Sequence, residues 1–481
     1  MPARPCATTR SRRTACVSEP PPAADGTASD AEARPLRYVD VLRQWWPLAA
    51  GWLFMTIEQV LVTAVVARLP SPEIQLAAWG VAFAISILIQ APSTVLLPTS
   101  TALARDGATY RRLATFAARV LGTLVTIHAL VALTPAFDVI VRQWMGVPAE
   151  VADAARLTLL IMVPWSLGTG HRRFLQGVMI RYGHAKIVIL GTFVRLGVAG
   201  TVLAIGVVTH ALPGAQLAAV AIILGVLSEM GYTRLRAAAV IERHLPDGPG
   251  TGPEMTFARF TAFYAPLVTL TLLTMFVQTL VTVVLARMPL ALDSLAVWPV
   301  LFGFLMILQS PGWAYTEVVI SLLRRPDSVR VLRRFTWSLV VGITALVVAI
   351  SASPAALLWF DRVAGLSPRL VDLAVSGLWL ALAMPGLRVL HSWYQGAIMY
   401  GERTRGIFES VLAFLFVAAT TFAFGIVWGG VPGLYVGVIG MTLAMTAQAV
   451  WLAWRARPIL AARASDPMSS LPAELDRPSR S

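Results

Sequence analysis

Apolar residues in this chain come in long runs with few polar interruptions, not in one-sided stripes. Such runs recur twelve times, near 43–66, 76–103, 114–134, 151–170, 185–208, 214–238, 260–286, 293–322, 335–353, 370–391, 407–427 and 431–454. A helix needs about 20 apolar residues to cross a bilayer. Inside lipid a helix satisfies all its backbone groups internally, which suits runs of this length. The pattern predicts twelve membrane-spanning helices, the fourth and tenth being the weakest of the twelve. Residues 1–38, with Pro20-Pro21-Pro22, and residues 457–481 lack any such run and read as disordered cytoplasmic tails. The first of them has no signal-peptide core and is expected to stay attached.

The charges between the runs alternate. Arg105, Arg111 and Arg112 follow the second span. Arg172, Arg173, Arg181 and Lys186 follow the fourth, Arg243 and Arg259 the sixth, Arg324, Arg325, Arg330, Arg333 and Arg334 the eighth, and Arg403 and Arg405 the tenth. The other loops hold far fewer: Arg68, then Arg142 and Arg156, Arg287, and Arg362 with Arg369. Cytoplasmic loops carry the excess of Lys and Arg. Both termini are therefore expected in the cytoplasm.

The two halves of the chain repeat each other. With a shift of 219 residues, positions 47–116 align with 266–335 without a gap, and 23 of those 70 pairs are identical. Leu61-Val62-Thr63 through Pro70 matches Leu280-Val281-Thr282 through Pro289. Gln90 and Pro92 match Gln309 and Pro311, and Phe174-Leu175-Gln176-Gly177 resembles Trp393-Tyr394-Gln395-Gly396. Six spans per half is an even number, so the repeats are parallel. That arrangement belongs to transporters that hold cargo between two lobes. The expected division is a lobe at 39–241, a cytoplasmic linker at 242–258 and a second lobe at 259–456.

Composition agrees. Of 481 residues 57% are hydrophobic and only 13% charged, too few charges for large soluble domains. The net charge of +14 resides mostly in the basic loops, so no nucleic-acid partner is expected. Cys6 and Cys16 both lie in the first tail, and no His pair has metal-ligand spacing, so no metal site or other cofactor is expected. A phosphate-binding G-x-x-x-x-G-K-[ST] loop, an H-E-x-x-H zinc motif and a G-x-S-x-G elbow are all absent, which argues against an enzyme or an ATP-driven pump.

The duplicated six-plus-six plan and the Leu175-Gln176-Gly177 phrase resemble the multidrug/oligosaccharidyl-lipid/polysaccharide (MOP) flippase superfamily. Its members include multidrug and toxic compound extrusion (MATE) transporters and lipid-linked oligosaccharide flippases. Pro47-Leu48, Glu58-Gln59, Pro311-Gly312-Trp313 and Thr316-Glu317 are similar to its progressive ankylosis branch. The resemblance implies an all-α MATE-like membrane fold and export from the cytoplasm of a bacterium across its inner membrane. It implies antiport against H+ or Na+ in many members, and small organic or phosphorylated anions as cargo in that branch. A lipid-linked sugar is the alternative cargo. The expected partners are cargo and membrane lipid, and the expected state is a monomer.

Charges inside a membrane are costly, about 2.5–3.5 kcal/mol at the centre of a span on insertion scales. Glu58 lies mid-span in the first helix and has Val277 as its repeat counterpart. It is the candidate proton or cation site. Arg195, midway along span five, is the candidate anion contact, with a structural ion pair to Glu229 as the other reading. Glu317 in span eight follows Pro311-Gly312 and is either a substrate- or ion-binding residue or a membrane-edge residue paired with the basic loop; Pro299 and Pro311 are expected to break that span as Pro92 and Pro98 break span two. Gln59 with Gln278, and Gln90 with Gln309, recur in both halves and either line the cavity or bridge helices. Arg119 and Arg388 read as snorkelling to the interface, and His128 as a helix-bridging hydrogen bond.

Overall fold

The computed structural model describes residues 35–182, 184–246, 255–401 and 405–465. Most of the two expected tails, and residues 247–254 of the linker, lie outside them. Among the described residues all regular structure is helical. The first half comprises α1 (Tyr38–Val66), α2 (Pro72–Thr94) with its continuation α3 (Leu96–Leu103), α4 (Gly107–Leu133), α5 (Ala149–Ile161), α6 (Trp165–Arg181), α7 (Ala185–Thr209) and α8 (Gly214–His244). The second half comprises α9 (Phe257–Arg287), α10 (Ala291–Leu322), α11 (Ser328–Ala352), α12 (Pro354–Leu358), α13 (Pro368–Leu380), α14 (Ala383–Tyr400), α15 (Arg405–Trp428) and α16 (Gly433–Ser465). Among the described residues ten helices are long and apolar enough to cross a membrane, or up to twelve spans when α5–α6 and α13–α14 each count as one. The protein is an integral, multi-pass membrane protein.

The 219-residue register extends well beyond the segment where identity reveals it. Helix starts at Pro72 and Ala291, Ala149 and Pro368, and Gly214 and Gly433 are all separated by it. So are the left-handed residues Ser71 and Leu290, Gly146 and Gly365, and His210 and Gly429. The bent fourth and tenth spans each turn by 41°. This bend, and the polar character of α6, explain why their hydropathy pattern is weak: each span is two short helices.

Three expectations need correction. The fourth span does not stop near residue 170, because α6 carries it on to Arg181 and so takes Arg172 and Arg173 out of the loop. Span eight is not broken at its prolines. α10 runs unbroken through Pro299 and Pro311. A proline lacks the N–H that the carbonyl four residues back would accept; for Pro311 that carbonyl, on Ile307, instead accepts the Ser310 hydroxyl at 2.8 Å. The C-terminal tail does not begin at Arg457, since α16 continues to Ser465, where Arg463 donates to the carbonyls of Leu323, Arg324 and Arg325.

Helices in lipid gain little from hydrophobicity and pack through small residues. The glycine of the repeated Gln-Gly phrase supplies this in both halves. A β-carbon on Gly177 would strike Ser100 and the Leu97 carbonyl, and one on Gly396 would sit 2.7 Å from Val319.

The first helix of each half crosses to the other half. α1 makes its most extensive contact with α10. There Trp45 Nε1 donates to the Pro311 carbonyl at 2.9 Å, Gln44 donates to Ser321 at 2.7 Å, and Asp40 meets Arg325 at 3.4 Å. α9 returns the arrangement against α2, with Tyr264 Oη donating to the Pro92 carbonyl at 2.7 Å. At the end of the bundle away from the basic loops, two arginines clasp the halves. Arg68 donates to the carbonyls of Arg362 and Val363 at 2.5 and 2.9 Å, in a π-helical turn before Gly365. Its repeat counterpart Arg287 donates to Gln143, at 3.3 Å, and to Trp144, in the equivalent turn before Gly146.

Candidate functional site

Four helices of the first half bring an ion-pair network into the membrane interior. α6 places Arg172 and Gln176 four residues apart, on one face. α8 supplies Glu229, which is fully buried, α7 supplies Arg195, and α1 supplies Glu58. Arg195 reaches Glu58 Oε2 at 3.0 Å and its Nε stands 3.7 Å from Glu229 Oε2. Arg172 pairs with the same Glu229 oxygen, and Gln176 donates to the other at 3.1 Å. Glu229 is therefore satisfied from three sides. Glu58 is not, since its Oε1 is buried and has no hydrogen-bond partner among the described residues.

Two close approaches make the network possible. A β-carbon at Gly191 on α7 would lie 3.2 Å from Glu229 Cγ, and one at Gly225 on α8 would lie 3.1 Å from Arg195 Cγ. Each glycine clears the path of the charged side chain on the neighbouring helix.

The charges do not balance. Arg173, next to Arg172 on α6, has its Nε buried without a partner. In the other half Arg388 of α14 lies over the Trp313 ring at 5.8 Å, its stem close to Gly312, and makes no ion pair or hydrogen bond among the described residues. Trp313 in turn packs on Trp52 of α1 at 5.4 Å. Arg388 does not snorkel to the interface as its position near the end of span ten suggests, because α14 carries that span on to Tyr400 and leaves Arg388 well inside it. Arg172, Arg173 and Arg195 gather around Glu58 and Glu229, an excess of one positive charge, and Arg388 stands apart from them in the other half. A net positive interior attracts anions.

Of the residues singled out from sequence, the structure joins Glu58 to Arg195, and Arg195 to Glu229. Gln90 and Gln309 are buried, Gln59 and Gln278 half-buried, and Glu317 exposed. None of these five shares a hydrogen bond or ion pair with the network among the described residues. Gln90 instead accepts from Ser93 at 3.3 Å. His128 meets the Leu159 carbonyl at 3.1 Å, a bond between helices, and His391 meets that of Met445 at 2.8 Å. Arg119 is exposed. Sequence reasoning missed Arg172 and Gln176 as network members because it ended the fourth span too early. The polar i, i+4 pair beside a conspicuous Gln-Gly phrase was the available signal.

The network has no copy in the second half. The 219-residue counterparts of Glu58, Arg172, Arg195 and Glu229 are Val277, His391, Phe414 and Gln448. A shared scaffold thus carries a site built once.

Among the described residues the chain forms a twelve-span bundle of two six-span repeats. Its fold is MATE-like. A MATE-family multidrug resistance transporter in its inward-facing conformation matches over 89% of this chain and 99% of its own, with a TM-score of 0.67 and 15% identity. An outward-facing MATE-family structure matches at 0.58, also at 15% identity, over 88% of this chain and 96% of its own. The lipid II flippase MurJ, in an inward closed conformation, matches at 0.64 and 12% identity over 88% of this chain and 90% of its own. No protein-family model and no curated protein sequence matches the chain.

Proposed function

We propose that the protein is a secondary transporter that exports a small organic anion from the cytoplasm by alternating access. The observation that carries this is Arg195 held between Glu58 and Glu229, in an interior whose arginines outnumber its acids. The guanidinium is a planar, bidentate ligand for carboxylate or phosphate. Glu58 occupies it when ionised and releases it when protonated. Proton and anion therefore bind together, whereas a cationic cargo would exchange for the proton. An inside-negative potential drives outward the negative charge that the cargo carries beyond the co-bound proton, at about 2.3 kcal/mol per charge per 100 mV.

The arginine clasps tie the halves together at the end away from the basic loops, which on this reading faces the cell exterior, as the excess of Lys and Arg in the opposite loops supports. The better superposition on the inward-facing relative agrees with that closure. We assign both termini to the cytoplasm and the protein to a bacterial inner membrane on the same charge bias and on the resemblance in sequence.

A second reading is a flippase for a lipid-linked sugar, favoured by the similarity to MurJ and by the same arginines, which suit a lipid phosphate. Uptake into inside-out vesicles separates the readings. The panel holds cationic dyes, citrate and nucleotides as organic anions, and a fluorescent lipid-linked sugar. Uptake of a soluble anion, with its pH dependence lost in Glu58→Gln, is expected. Movement of the lipid reporter alone moves the protein to the flippase reading, and uptake of dyes alone refutes an anionic cargo.

A further inference from the structure

A cavity of about 260 Å³ lies outside the interior network, in the second half, between α11, α14 and α16. It is lined by Arg333, Thr336, Trp337, Trp393, Tyr394 and Leu460, among others. Three of its donors are unused: the Arg333 guanidinium, the Trp393 indole N–H and the Tyr394 hydroxyl make no hydrogen bond or ion pair among the described residues. Thr336 is already engaged, by the Leu332 carbonyl and by Tyr315.

The depth of the cavity is set by its walls. Arg333 is six residues into the chain from Asp327, about 9 Å of helix rise from the basic loop. Trp337 is one turn deeper and exposed, and Val341, one turn deeper again on the same face, is also exposed. A cation, then an indole, then an apolar strip is the order of a headgroup, its boundary and an acyl chain.

The other half lacks the cavity's chemistry. The counterparts of Arg333, Trp337, Trp393 and Tyr394 are Ala114, Ala118, Phe174 and Leu175, and that of Ala461 is the acid Glu242. The counterpart of Val329 is Tyr110, whose ring stacks on Phe174 at 5.8 Å. Duplication alone therefore does not account for an open cationic hollow here.

We infer that this cavity binds the phosphate of an anionic phospholipid from the leaflet at the basic-loop end, with Arg333, Trp393 and Tyr394 donating to the phosphate and an acyl chain lying along Trp337 and Val341. Free phosphate offers the same oxygens but no chain for that strip. The site is independent of the cargo reading above.

The test is lipid retention by the purified full-length protein in native mass spectrometry, with phosphatidylglycerol, phosphatidylcholine or inorganic phosphate added. Wild type is expected to retain phosphatidylglycerol in preference to phosphatidylcholine. Arg333→Gln should lower that retention about tenfold or more, the loss of a hydrogen bond to a charged group. Trp337→Leu, which keeps the charge, should lower it for the chain contact alone. Arg334→Gln, an exposed neighbour outside the lining, should leave it unchanged. Equal retention by Arg333→Gln, equal loss in Arg334→Gln, no preference over phosphatidylcholine, or binding of inorganic phosphate without lipid would each overturn the assignment.

Discussion

Arg195 holds Glu58 at 3.0 Å across the boundary between the first helix and the helix bundle that follows it. The same guanidinium leans on Glu229, which is already engaged by Arg172 and Gln176. One carboxylate is thus anchored and the other is held by a single partner. That difference orders what each substitution should do.

Removing the anchored acid should damage the fold. Glu229→Ala leaves Arg172 buried without its partner, and breaking a buried pair costs about 3–5 kcal/mol. Thermal unfolding in detergent should show a clear drop for Glu229→Ala and a much smaller one for Glu58→Gln. Equal drops would mean that Glu229 is no more structural than Glu58.

The sign of the pH effect follows from the competition for Arg195. On the proposed reading the anion displaces an ionised Glu58, so its affinity should rise as the pH falls and Glu58 takes up a proton. In Glu58→Gln the affinity should be high and flat across the same range. Calorimetric titration with the transported anion reads this directly, and anion binding that weakens on acidification would contradict it.

Arg388 should matter to cargo and not to folding. Losing a hydrogen bond to a charged group costs roughly 1.5–3 kcal/mol, so Arg388→Gln should weaken anion uptake by about tenfold or more. Its melting temperature should stay level or rise, because an unpaired interior charge is removed. A marked fall in stability with unchanged uptake would make Arg388 a packing residue.

The two clasps should act together. Arg68→Gln or Arg287→Gln alone leaves the opposite clasp intact, while the double variant frees the end of the bundle. Spin labels at Glu150→Cys and Asp361→Cys, one in each half, with Cys6→Ser and Cys16→Ser in the background, report the distance. The double variant should lengthen and broaden it well beyond either single one. An unchanged distribution would mean that the clasps do not hold the closure.

Much of this architecture is written in the chain. Twelve apolar runs and a gapless 219-residue match yield the spans and the parallel repeat, because lipid requires long apolar helices and duplication preserves register. Glu58 and Arg195 stand out because charges are rare in such runs. Their meeting was less legible. The sequence offers Glu229 as the neighbour of Arg195, and Glu58 joins only because α1 passes close to α7. Arg172 hid in what reads as a basic loop, since a 41° bend makes two short helices look like one short span. Arg388 stands out in the sequence as a charge near the end of span ten, and only the continuation of α14 to Tyr400 makes it interior. The crossing of α1 and α9 between halves is a tertiary choice that no local pattern records.

The clasp has one more consequence. Arg68 meets the turn before Gly365 as Arg287 meets the turn before Gly146, so the same patch is used from both sides, as in the isologous contact of a twofold dimer. The chain behaves there as two subunits joined end to end. Its closing surface has stayed self-complementary while its interior has become unlike from half to half. Opening along that axis would part the halves evenly, each giving up the same grip.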